Sequence, residues 1–438
     1  MKKTYFLTIL TTILFTFNAQ STTYTSASNG NWMNFMTWSP FGVPIPGDIV
    51  IINHAVVLDT SFAYSVGSIT VNASGSLIQN SPVRDIMLNG VNASFYNYGT
   101  TTIRFLYLNQ GNFMNTGTFN VKSVLNNVNL YNSGNMNGVD SIYNNTGTIN
   151  NNGTINVMTF YNNNIWDNYG IIKGLTTVVD SMWNQGTFTN YNGAILKADS
   201  ATNNGTFVNS GTIEYFQFTN FTNGTFTNNN SLSFDDMTNF GNFTNNGLMN
   251  GSNSMWNNEI FNNTSVGQIT LGNSFLNADS VSNTANFNND GSVDIGDSFY
   301  NFNSITGSST GQFDVVDSSY NSGTMTGSFD FCDATPPPSY PKIDWNFGTI
   351  DATVTFCGLT SVTELDKQTL TIYPNPTIGI VNLGSQKQFV EVYSIDGKLL
   401  IQDFTNQINI GNYQSGMYFL IIKDQEGNQL YKEKIIKE

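Results

Sequence analysis

The chain is poor in charge and above all in basic residues. Only 10 % of its 438 residues are charged, and 15 lysines and arginines stand against 30 acids, a formal net charge of −15. An excess of acids repels the phosphate backbone of DNA and RNA, so this balance excludes nucleic-acid binding. A hydrophobic content of 39 % is still sufficient for folded domains.

Long apolar runs are also scarce. After the first 20 residues, no stretch has the roughly 18 consecutive apolar residues that a membrane-spanning helix needs. Residues 1–19 have a basic start at Lys2 and Lys3, a mostly apolar run to Phe17 and a small residue, Ala19, before the expected cleavage point. They predict a signal peptide, and hence a mature protein outside the cytoplasm.

Cysteine occurs twice, as Cys332 and Cys357. Because disulfides form outside the cytoplasm, we expect these residues to form one bridge that closes a small loop, with two free thiols as the alternative. The prolines Pro336 to Pro338 lie inside that loop and are typical of a stiff connector. Residues 331–369 are therefore expected to form a linker.

Asparagine and glycine are abundant, with 67 and 39 residues. Between about residue 90 and residue 325 they recur in a short element, which consists of Asn or a neighbour, any residue, Gly, a small polar residue and an apolar one. Asn115 to Phe119 and Asn203 to Phe207 are two copies, and the glycines of successive copies lie about 19 residues apart. A period near 20 with short alternating segments predicts a solenoid.

The repeat predicts an all-β fold with a right-handed parallel β-helix over residues 90–330. Pairs such as Asp140-Ser141 mark a second corner of each coil and leave strands of alternating polarity between corners. An array of hairpins is the alternative, because Asn-Gly is a strong hairpin signal. Hairpins, however, do not require the same sequence pattern to recur at a fixed interval. Stacked coils also predict hydrogen-bonded ladders of asparagine and aromatic side chains piled mainly along the core.

Residues 20–89 predict a cap at the N-terminal end of the β-helix. They contain a Pro/Gly-rich loop followed by two short apolar strands. The elements are Trp38-Ser39, Gly42-Val43-Pro44, Gly47-Asp48 and Val56-Val57-Leu58-Asp59. They resemble the G8-type opening module of extracellular β-helix proteins, and this resemblance implies that a pectin-lyase-like β-helix passenger continues directly from it.

In residues 370–438, apolar and polar residues alternate in short runs separated by turns. This pattern predicts a small antiparallel β-sandwich. They also carry an ordered set of turn residues: Tyr373, Pro374, Asn375, Pro376, Gly379, Gly397 and Gly416. This segment resembles the type A C-terminal sorting domain of the type IX secretion system of Bacteroidetes. The resemblance implies contact with the type IX machinery, passage through the outer membrane, and attachment to the cell surface or release.

Catalytic chemistry has few candidate residues in the repeats. The one histidine, His54, lies in the expected cap and is interpreted as an ordinary turn residue, so a zinc site or a Ser-His-Asp triad is not expected. Pectate-lyase-like enzymes need a base, and residues 60–330 offer five: Arg84, Arg104, Lys122, Lys173 and Lys197. We expect no catalytic residue.

One segment matches the spacing of an EF-hand or dockerin-type calcium loop. The oxygen-bearing positions are Asn286, Asn288, Asp290, Asp294 and Asp297, with Gly291 at the bend. The alternative is a normal copy of the repeat, because Asn289 to Val293 fits its pattern. Calcium is the one cofactor that the sequence suggests.

The Asp-Ser corners suggest a modification. Four of their serines resemble the O-glycosylation sites of exported Bacteroidetes proteins: Ser141, Ser181, Ser200 and Ser280. The alternative is that these side chains only satisfy backbone groups at the bend.

Together these features predict a secreted or outer-surface β-helix protein that is non-catalytic and acts in adhesion, glycan contact or envelope structure. The expected partners are the secretion machinery and a polysaccharide or host-surface glycan. The alternative is an extracellular polysaccharide lyase or glycoside hydrolase, which only the fold suggests. A continuous aromatic or Asp-lined groove on one face of the coils would favour a glycan site or an enzyme, whereas a face of Asn and Thr would favour a spacer.

Overall fold

The computed structural model describes residues 21–80, 83–174, 179–279, 284–335, 343–357, 372–384, 387–423 and 429–438. The expected signal peptide, Ser280 and Pro336 to Pro338 lie outside these residues. The chain divides into two compact units, Met1–Cys357 and Gly358–Glu438, and each is treated separately below. In the described part of the chain, no helix is both long and apolar enough to span a bilayer.

The first unit is a parallel β-solenoid of about 14 turns, so the predicted fold class is confirmed. Apart from Trp38–Ser39, which pairs antiparallel with Thr23–Ser26, the strands pair in parallel with equivalent strands of adjacent coils, as Asn112–Asn115 does with Asn129–Asn132. One short 3-10 helix, Phe35–Thr37, precedes the regular coils.

The strands of the solenoid are Thr23–Ser26, Gly30–Asn31, Trp38–Ser39, Ile49–Ile52, Ala55–Leu58, Phe62–Val71, Ser76–Gln79, Asp85–Asn97, Thr100–Leu108, Asn112–Asn115, Thr118–Asn126, Asn129–Asn132, Asn135–Asn144, Thr148–Asn151, Thr154–Asn162, Ile165–Asn168, Ile171–Lys173, Val179–Asn184, Thr187–Asn190, Ile195–Asn203 and Thr206–Asn209. They continue with Thr212–Asn220, Thr225–Asn228, Ser231–Phe234, Asp236–Asn239, Asn242–Asn245, Leu248–Gly251, Met255–Asn257, Ile260–Asn263, Gln268–Leu271, Phe275–Asn277, Asn286–Asn289, Ser292–Ile295, Phe299–Asn301, Ser304–Gly307, Gln312–Val315, Ser319–Asn321, Thr324–Gly327, Asp330–Asp333, Trp345–Asn346, Thr349–Ile350 and Thr355–Phe356.

Alternation of apolar and polar residues places every second side chain inside the coil. At a bend, two consecutive side chains point outwards instead. Asp140 and Ser141 form such a bend between the buried side chains of Val139 and Ile142. Asp140-Ser141 is therefore a corner because it shifts the alternation by one residue.

The repeated glycines lie where successive coils approach most closely. A Cβ atom on Gly134 would stand 2.1 Å from the carbonyl oxygen of Gly117, and one on Gly153 would stand 2.1 Å from that of Gly134. No side chain fits at this distance, so the corner requires glycine. This close approach explains the glycine in each repeat.

Two ladders of asparagine run inside the solenoid, and in each the side-chain Nδ2 donates to Oδ1 of the next member at 2.7–2.9 Å. The first ladder is Asn97, Asn115, Asn132, Asn151, Asn168, Asn190, Asn209, Asn228, Asn245, Asn263 and Asn289. The second ladder is Asn126, Asn144, Asn162, Asn184, Asn203, Asn220, Asn239, Asn257, Asn277, Asn301, Asn321 and Asn346.

Every ladder member except Asn346 is almost completely buried. The amides also satisfy main-chain groups at the corner: Asn220 Nδ2 donates to the carbonyl oxygens of Gly224 and Asn242 at 3.2 and 3.1 Å. A buried amide without partners would destabilise the fold, but here each one is hydrogen-bonded to its neighbours. The predicted asparagine ladders are confirmed, and they lie in the interior.

Aromatic rings fill part of the core beside the first ladder. Six phenylalanines stack one per coil, with ring centroids 4.6–4.9 Å apart: Phe188, Phe207, Phe226, Phe243, Phe261 and Phe287. Their spacing equals the distance between neighbouring strands of a sheet, because each coil contributes one ring at the same position.

The solenoid extends beyond residues 90–330 on both sides. Ile49–Ile52 pairs in parallel with Phe62–Val71 inside the expected cap, and Thr355–Phe356 pairs with Asp330–Asp333 inside the expected linker. The glycine element is absent from residues 49–58, although their side chains alternate between interior and surface, so the period alone does not reveal these coils.

The last described coil of the solenoid is closed by a disulfide. Cys332 lies in the strand Asp330–Asp333, and Cys357 follows its parallel partner Thr355–Phe356, with the Cα atoms of the two cysteines 4.8 Å apart. Joining two adjacent coils in this way restricts the unfolded chain over a 25-residue separation.

The second unit contains two antiparallel sheets, as predicted for this segment. One pairs Ile380–Asn382 with Gln407–Asn409, and the other has the order Leu399–Thr405, Gln388–Ser394, Gly416–Lys423, Gln429–Lys437. One apolar cluster joins side chains of both sheets, with Val381 and Ile408 from the first, and Val392 and Leu420 from the second.

Replacing one ladder residue tests the role of the ladders. Asn220→Ala leaves the Nδ2 of Asn203 and the Oδ1 of Asn239 without their ladder partner, so we expect a loss of about 2–4 kcal/mol in the free energy of unfolding. Urea unfolding measures this loss. The matched control is Asn192→Ala at an exposed turn, which should change the free energy by less than about 0.5 kcal/mol. Equal effects of the two substitutions would contradict a structural role for the ladder.

Candidate functional site

The single histidine takes part in holding the first coils together. His54 lies in the turn between Ile49–Ile52 and Ala55–Leu58, with its Nδ1 3.0 Å from Ser26 Oγ. The same Oγ accepts hydrogen bonds from the backbone N–H groups of Asn53 and His54 at 2.8 and 3.1 Å. Ser26 is buried, and its hydroxyl ties the strand Thr23–Ser26 to this corner.

The segment with calcium-loop spacing folds as part of a coil. Asn286 and Asn288 point outwards from one strand, Asp290 follows at the corner, and Asp294 points outwards from the next strand. Asp297 lies at the corner after that strand. The five residues are therefore spread over two strands and two corners. Calcium binding here stays a prediction, which a calcium-dependent rise of the melting temperature would support.

Asp294 lies beside a second carboxylate. Its register partner in the next coil is Asp314, whose Oδ2 accepts a hydrogen bond from Gln312 Nε2 at 2.7 Å. Partial burial, with a smaller contribution from the Asp314 charge and a hydrogen bond between the two carboxyl groups, raises the pKa of Asp294. Asp294 therefore keeps its proton to a higher pH than an isolated aspartate does.

The Asp-Ser corners form a row along the solenoid. Ser141, Ser181 and Ser200 occupy the same corner position, with Thr159 between the first two. All three serines are half-buried, and Ser141 Oγ donates to Ser123 Oγ at 3.0 Å. O-glycosylation at these serines stays a prediction.

One outer face carries a row of large side chains, which we call the aromatic row. It follows the second ladder, since each member from Leu125 onwards directly precedes a ladder residue, and Tyr107 is the register partner of Leu125. Its members are Tyr107, Leu125, Tyr143, Tyr161, Trp183, Thr202, Thr219, Thr238, Trp256, Leu276, Tyr300, Tyr320 and Trp345. Three threonines thus separate two aromatic clusters.

The N-terminal cluster of the aromatic row is a regular stack. The ring centroids of Tyr143 and Tyr161 are 4.6 Å apart, and the angle between the ring planes is 4°. For Tyr161 and Trp183 the centroid distance is also 4.6 Å and the angle is 2°. The rings are partly exposed although they are stacked, and Tyr143 keeps 46 % of its surface in solvent. Aromatic side chains in such a position are typical of contact surfaces.

The C-terminal cluster is less regular and contains grooves. One groove of about 360 Å³ lies between Trp256 and Tyr300, which flank the smaller Leu276, with Asp236 and Ser254 along its side. The Trp256 ring is oriented by a 2.8 Å hydrogen bond from its Nε1 to the carbonyl oxygen of Ala278. A second groove of about 530 Å³ lies at the neighbouring corner, where Phe302, Ser322 and Phe347 are among its lining residues.

The Tyr373 to Pro376 loop of the sorting motif contacts the last strand of the second unit through Asn375. The Asn375 side chain pairs with this strand, donating from Nδ2 to the Lys434 carbonyl at 2.6 Å and accepting from the Ile436 N–H at 2.8 Å. Thr377 continues the contact through two backbone hydrogen bonds to Ile436 and Glu438. The loop from Tyr373 to Pro376 is therefore anchored to the C-terminal strand.

The glycines of the sorting motif have separate structural roles. Gly397 forms the turn before Leu399–Thr405 with φ +81°. Gly379 packs against Gly411, and a Cβ atom on Gly379 would lie 2.9 Å from the Cα of Gly411. Gly416 begins the strand Gly416–Lys423 with φ +156°. Each position favours glycine because of its backbone conformation or a close approach.

An ion pair stabilises the larger sheet of the second unit. Lys423 Nζ lies 2.8 Å from Glu391, and Tyr393 donates to the same carboxylate at 2.7 Å. These hydrogen bonds, from Lys423 first and then Tyr393, lower the pKa of Glu391.

Comparison with known protein families identifies the second unit. Residues 371–438 match the family described as secretion system C-terminal sorting domain. The chain is therefore cargo of a secretion system, with a parallel β-solenoid ahead of its sorting domain. No curated protein and no solved structure matches the chain. The family match does not extend to residues 20–89 or to the coils, so the G8-like module and the pectin-lyase-like passenger stay expectations.

The grooves beside the aromatic row are features that sequence reasoning missed. Aromatic residues were expected mainly in the core, and the buried phenylalanines follow that expectation. Tyrosine and tryptophan next to a ladder asparagine, as in Tyr143-Asn144 and Trp183-Asn184, point outwards. The signal that could have found the row is this adjacency, because a side chain next to an inward one in a strand faces solvent.

The Asp294–Asp314 pair makes the stability of the solenoid depend on pH. A raised pKa means that the folded protein binds the proton more tightly than the unfolded chain, so the charged pair destabilises the fold at pH 7 and this effect disappears as the pH falls through the raised pKa. We expect Asp314→Asn to raise the melting temperature at pH 7 by an amount that corresponds to less than about 1 kcal/mol, and to have less effect at about pH 3. The control is Asp199→Asn at an exposed corner, and a pH-independent effect of Asp314→Asn would contradict the pairing.

Proposed function

We propose that this chain is exported by the type IX secretion system of Bacteroidetes to the outer cell surface or the medium, where its solenoid contacts glycans in adhesion or in the cell envelope without catalysing a reaction. The observation that carries the proposal is the combination of a sorting domain at residues 371–438 with a row of exposed aromatic side chains along one face of a long solenoid. The resemblance of residues 20–89 to G8 modules of extracellular proteins agrees with this destination.

The aromatic row supports glycan contact. Its rings are held on a continuous parallel sheet, so they lose little conformational freedom when a ligand binds. Aromatic rings offer apolar faces and edges to the C–H groups of sugars, and Asp236, Ser254 and Ser274 lie beside Trp256 as hydrogen-bonding partners for hydroxyl groups. A long row of such positions suits a polymer better than a small molecule.

Three of the five basic residues between residues 60 and 330 pair with acids, and this supports a non-catalytic function. Arg104 pairs with Asp85 at 2.6 Å, Lys197 with Glu214 at 2.6 Å, and Lys122 with Asp140 at 3.5 Å. These bases are engaged with acids of adjacent coils, where they offset the negative charge, and are not poised to remove a proton from a substrate.

A glycoside hydrolase or polysaccharide lyase is the alternative function. The acid pair Asp294 and Asp314 is its best candidate, since one member has a raised pKa. The carboxyl groups of glycosidases, however, lie about 5–9.5 Å apart around the bond they cleave. Asp294 and Asp314 are register partners on the same face of two adjacent strands, so they do not stand on opposite sides of a bond to be cleaved.

Export is tested by removing the sorting domain. In a Bacteroidetes host, we expect the chain without residues 371–438 to accumulate in the periplasm, and the full chain to reach the surface or the medium. Asn375→Ala should reduce export, because it removes both side-chain hydrogen bonds to the last strand. Immunoblots of cell fractions measure this, with Asn412→Ala at an exposed position as the control. Unchanged export of the truncated chain would contradict the proposal.

Glycan contact is tested with plant and algal polysaccharides cast into native gels. We expect the full chain to be retarded by one or more of galactomannan, xyloglucan, laminarin, polygalacturonate and alginate, and to release no new reducing ends or unsaturated products from them. Reducing ends or unsaturated products would establish the enzymatic alternative. No retardation by any polysaccharide would contradict glycan contact.

A further inference from the structure

The larger sheet of the second unit has two apolar faces. On its inner face, Val392, Leu420 and Ile435 are buried in the cluster that also contains Val381 and Ile408 of the smaller sheet. Side chains alternate along a strand, so the residues between these buried ones point to the other face. An antiparallel sheet with one buried face usually carries polar residues on its second face. Here the second face is largely apolar as well.

Strand pairing brings the apolar residues of this second face together. Phe389 is the register partner of Phe404, and Tyr393 is the register partner of Leu399 on one side and of Phe419 on the other. The ring centroids of Phe389 and Phe404 are 4.6 Å apart. Phe389 keeps 42 % of its surface in solvent, and Phe404 keeps 46 %. An exposed apolar patch thus crosses three neighbouring strands, and such a patch is typical of an interaction site.

Two lysines border this patch along the last strand. Lys432 and Lys434 are the register partners of Ile421 and Phe419, so they lie on the same face, and both are exposed. The Lys432 Nζ lies 5.2 Å from the centroid of the Phe419 ring. We call the patch and these two lysines the aromatic-lysine face.

Glu391 lies on the same face, and its carboxylate is engaged. Besides its contacts with the Lys423 ammonium and the Tyr393 hydroxyl, it accepts a hydrogen bond from Gln402 Nε2 at 3.2 Å. The charges of Glu391 and Lys423 offset each other. Lys432 and Lys434 therefore give the aromatic-lysine face a positive charge, in a chain whose net charge is −15. A partner surface with negative charge is complementary to it.

The residue types of the face favour a protein as the partner. The central part of a protein interface is rich in aromatic residues and its charges lie at the rim, and the aromatic-lysine face has this arrangement. Recognition of anionic lipid typically needs a cluster of about 4–8 basic residues, whereas this face offers only the pair Lys432 and Lys434. A second copy of the chain would present the same lysines, and like charges oppose association.

We propose that the aromatic-lysine face docks onto a protein of the type IX secretion machinery, at an apolar surface bordered by carboxylates. The inference rests on the proposed export by this system and specifies which surface of the sorting domain is recognised, and by what chemistry. Phe389 and Phe404 become buried at the centre of the interface, and Lys432 and Lys434 pair with the carboxylates at its border.

Substitutions on the face test its role in export. In a Bacteroidetes host, we expect Phe389→Ser and Lys434→Glu each to lower the exported fraction of the full chain about tenfold, since the first removes a central ring and the second places like charges opposite each other. Lys434→Arg keeps the charge and should be exported normally. The matched controls are Ile395→Ser and Lys398→Glu, both exposed in the turn before Leu399–Thr405, and they should be exported as the unchanged chain is.

A photo-crosslink identifies the partner. The purified full chain with Phe389→Cys is labelled with benzophenone maleimide and illuminated together with solubilised envelopes of the host. The two native cysteines are joined to each other, so the label attaches to the introduced thiol. We expect a product that contains a protein of the type IX machinery, identified by mass spectrometry, and about tenfold less of it when Lys434→Glu is added. The same label at Ile395→Cys should give no such product.

The outcomes separate the docking face from export in general. If the full chain is exported through the machinery and Phe389→Ser and Lys434→Glu are exported equally well, the docking face is wrong and export stands. If the full chain stays in the periplasm, both proposals fail. A crosslinked product of twice the mass of the chain would assign the face to a second copy, and a product with lipid alone would assign it to a membrane surface. Either product overturns the proposal. Circular dichroism and the melting temperature confirm that each variant is folded.

Discussion

The buried asparagine ladder is the interaction on which the solenoid depends. An amide has a donor and an acceptor on opposite sides, so it can bond to an identical group above and below only when successive coils are in register. The ladder from Asn126 to Asn346 imposes this register on twelve coils in succession. A shift of one residue in the pairing of neighbouring strands would point the ladder asparagines towards the surface. The carbonyl oxygens at the corner would then lose their hydrogen bonds. The same register brings the backbone of successive corners to a distance that only glycine allows.

Register inside the solenoid also determines what lies on its surface. Because every coil advances by the same distance, residues at one repeat position form straight rows, and their chemistry changes only as the sequence changes. Rings at consecutive positions stack, as Tyr143, Tyr161 and Trp183 do. Where Leu276 interrupts the series between Trp256 and Tyr300, a groove is present. The candidate binding positions thus arise from substitutions in a repeat, without any separate loop.

Much of the fold could be predicted from the sequence. The period of about 19 residues, the parallel stacking, the asparagine ladders and the antiparallel C-terminal unit follow from patterns that each coil repeats. The full extent of the solenoid was not predicted. Ile49–Ile52 pairs in parallel without the glycine element, and the copy of the element from Asn346 to Ile350 lies within the expected linker. The surface grooves could not be predicted from the sequence either. Leu276 and Tyr300 are 24 residues apart, whereas Thr202 and Thr219 are 17 apart, yet both pairs are neighbours in adjacent coils, and only the structure shows this alignment.

Energetic coupling between adjacent ladder asparagines tests the central claim most directly. Asn144 and Asn162 are joined by a 2.7 Å hydrogen bond, whereas Asn144 and Asn257 belong to the same ladder several coils apart. Alanine double-mutant cycles, measured by urea unfolding, should give a coupling free energy of about 1–2 kcal/mol for the first pair and additive effects within about 0.5 kcal/mol for the second. Additive effects for Asn144 and Asn162 would contradict the claim that the ladder holds successive coils in register.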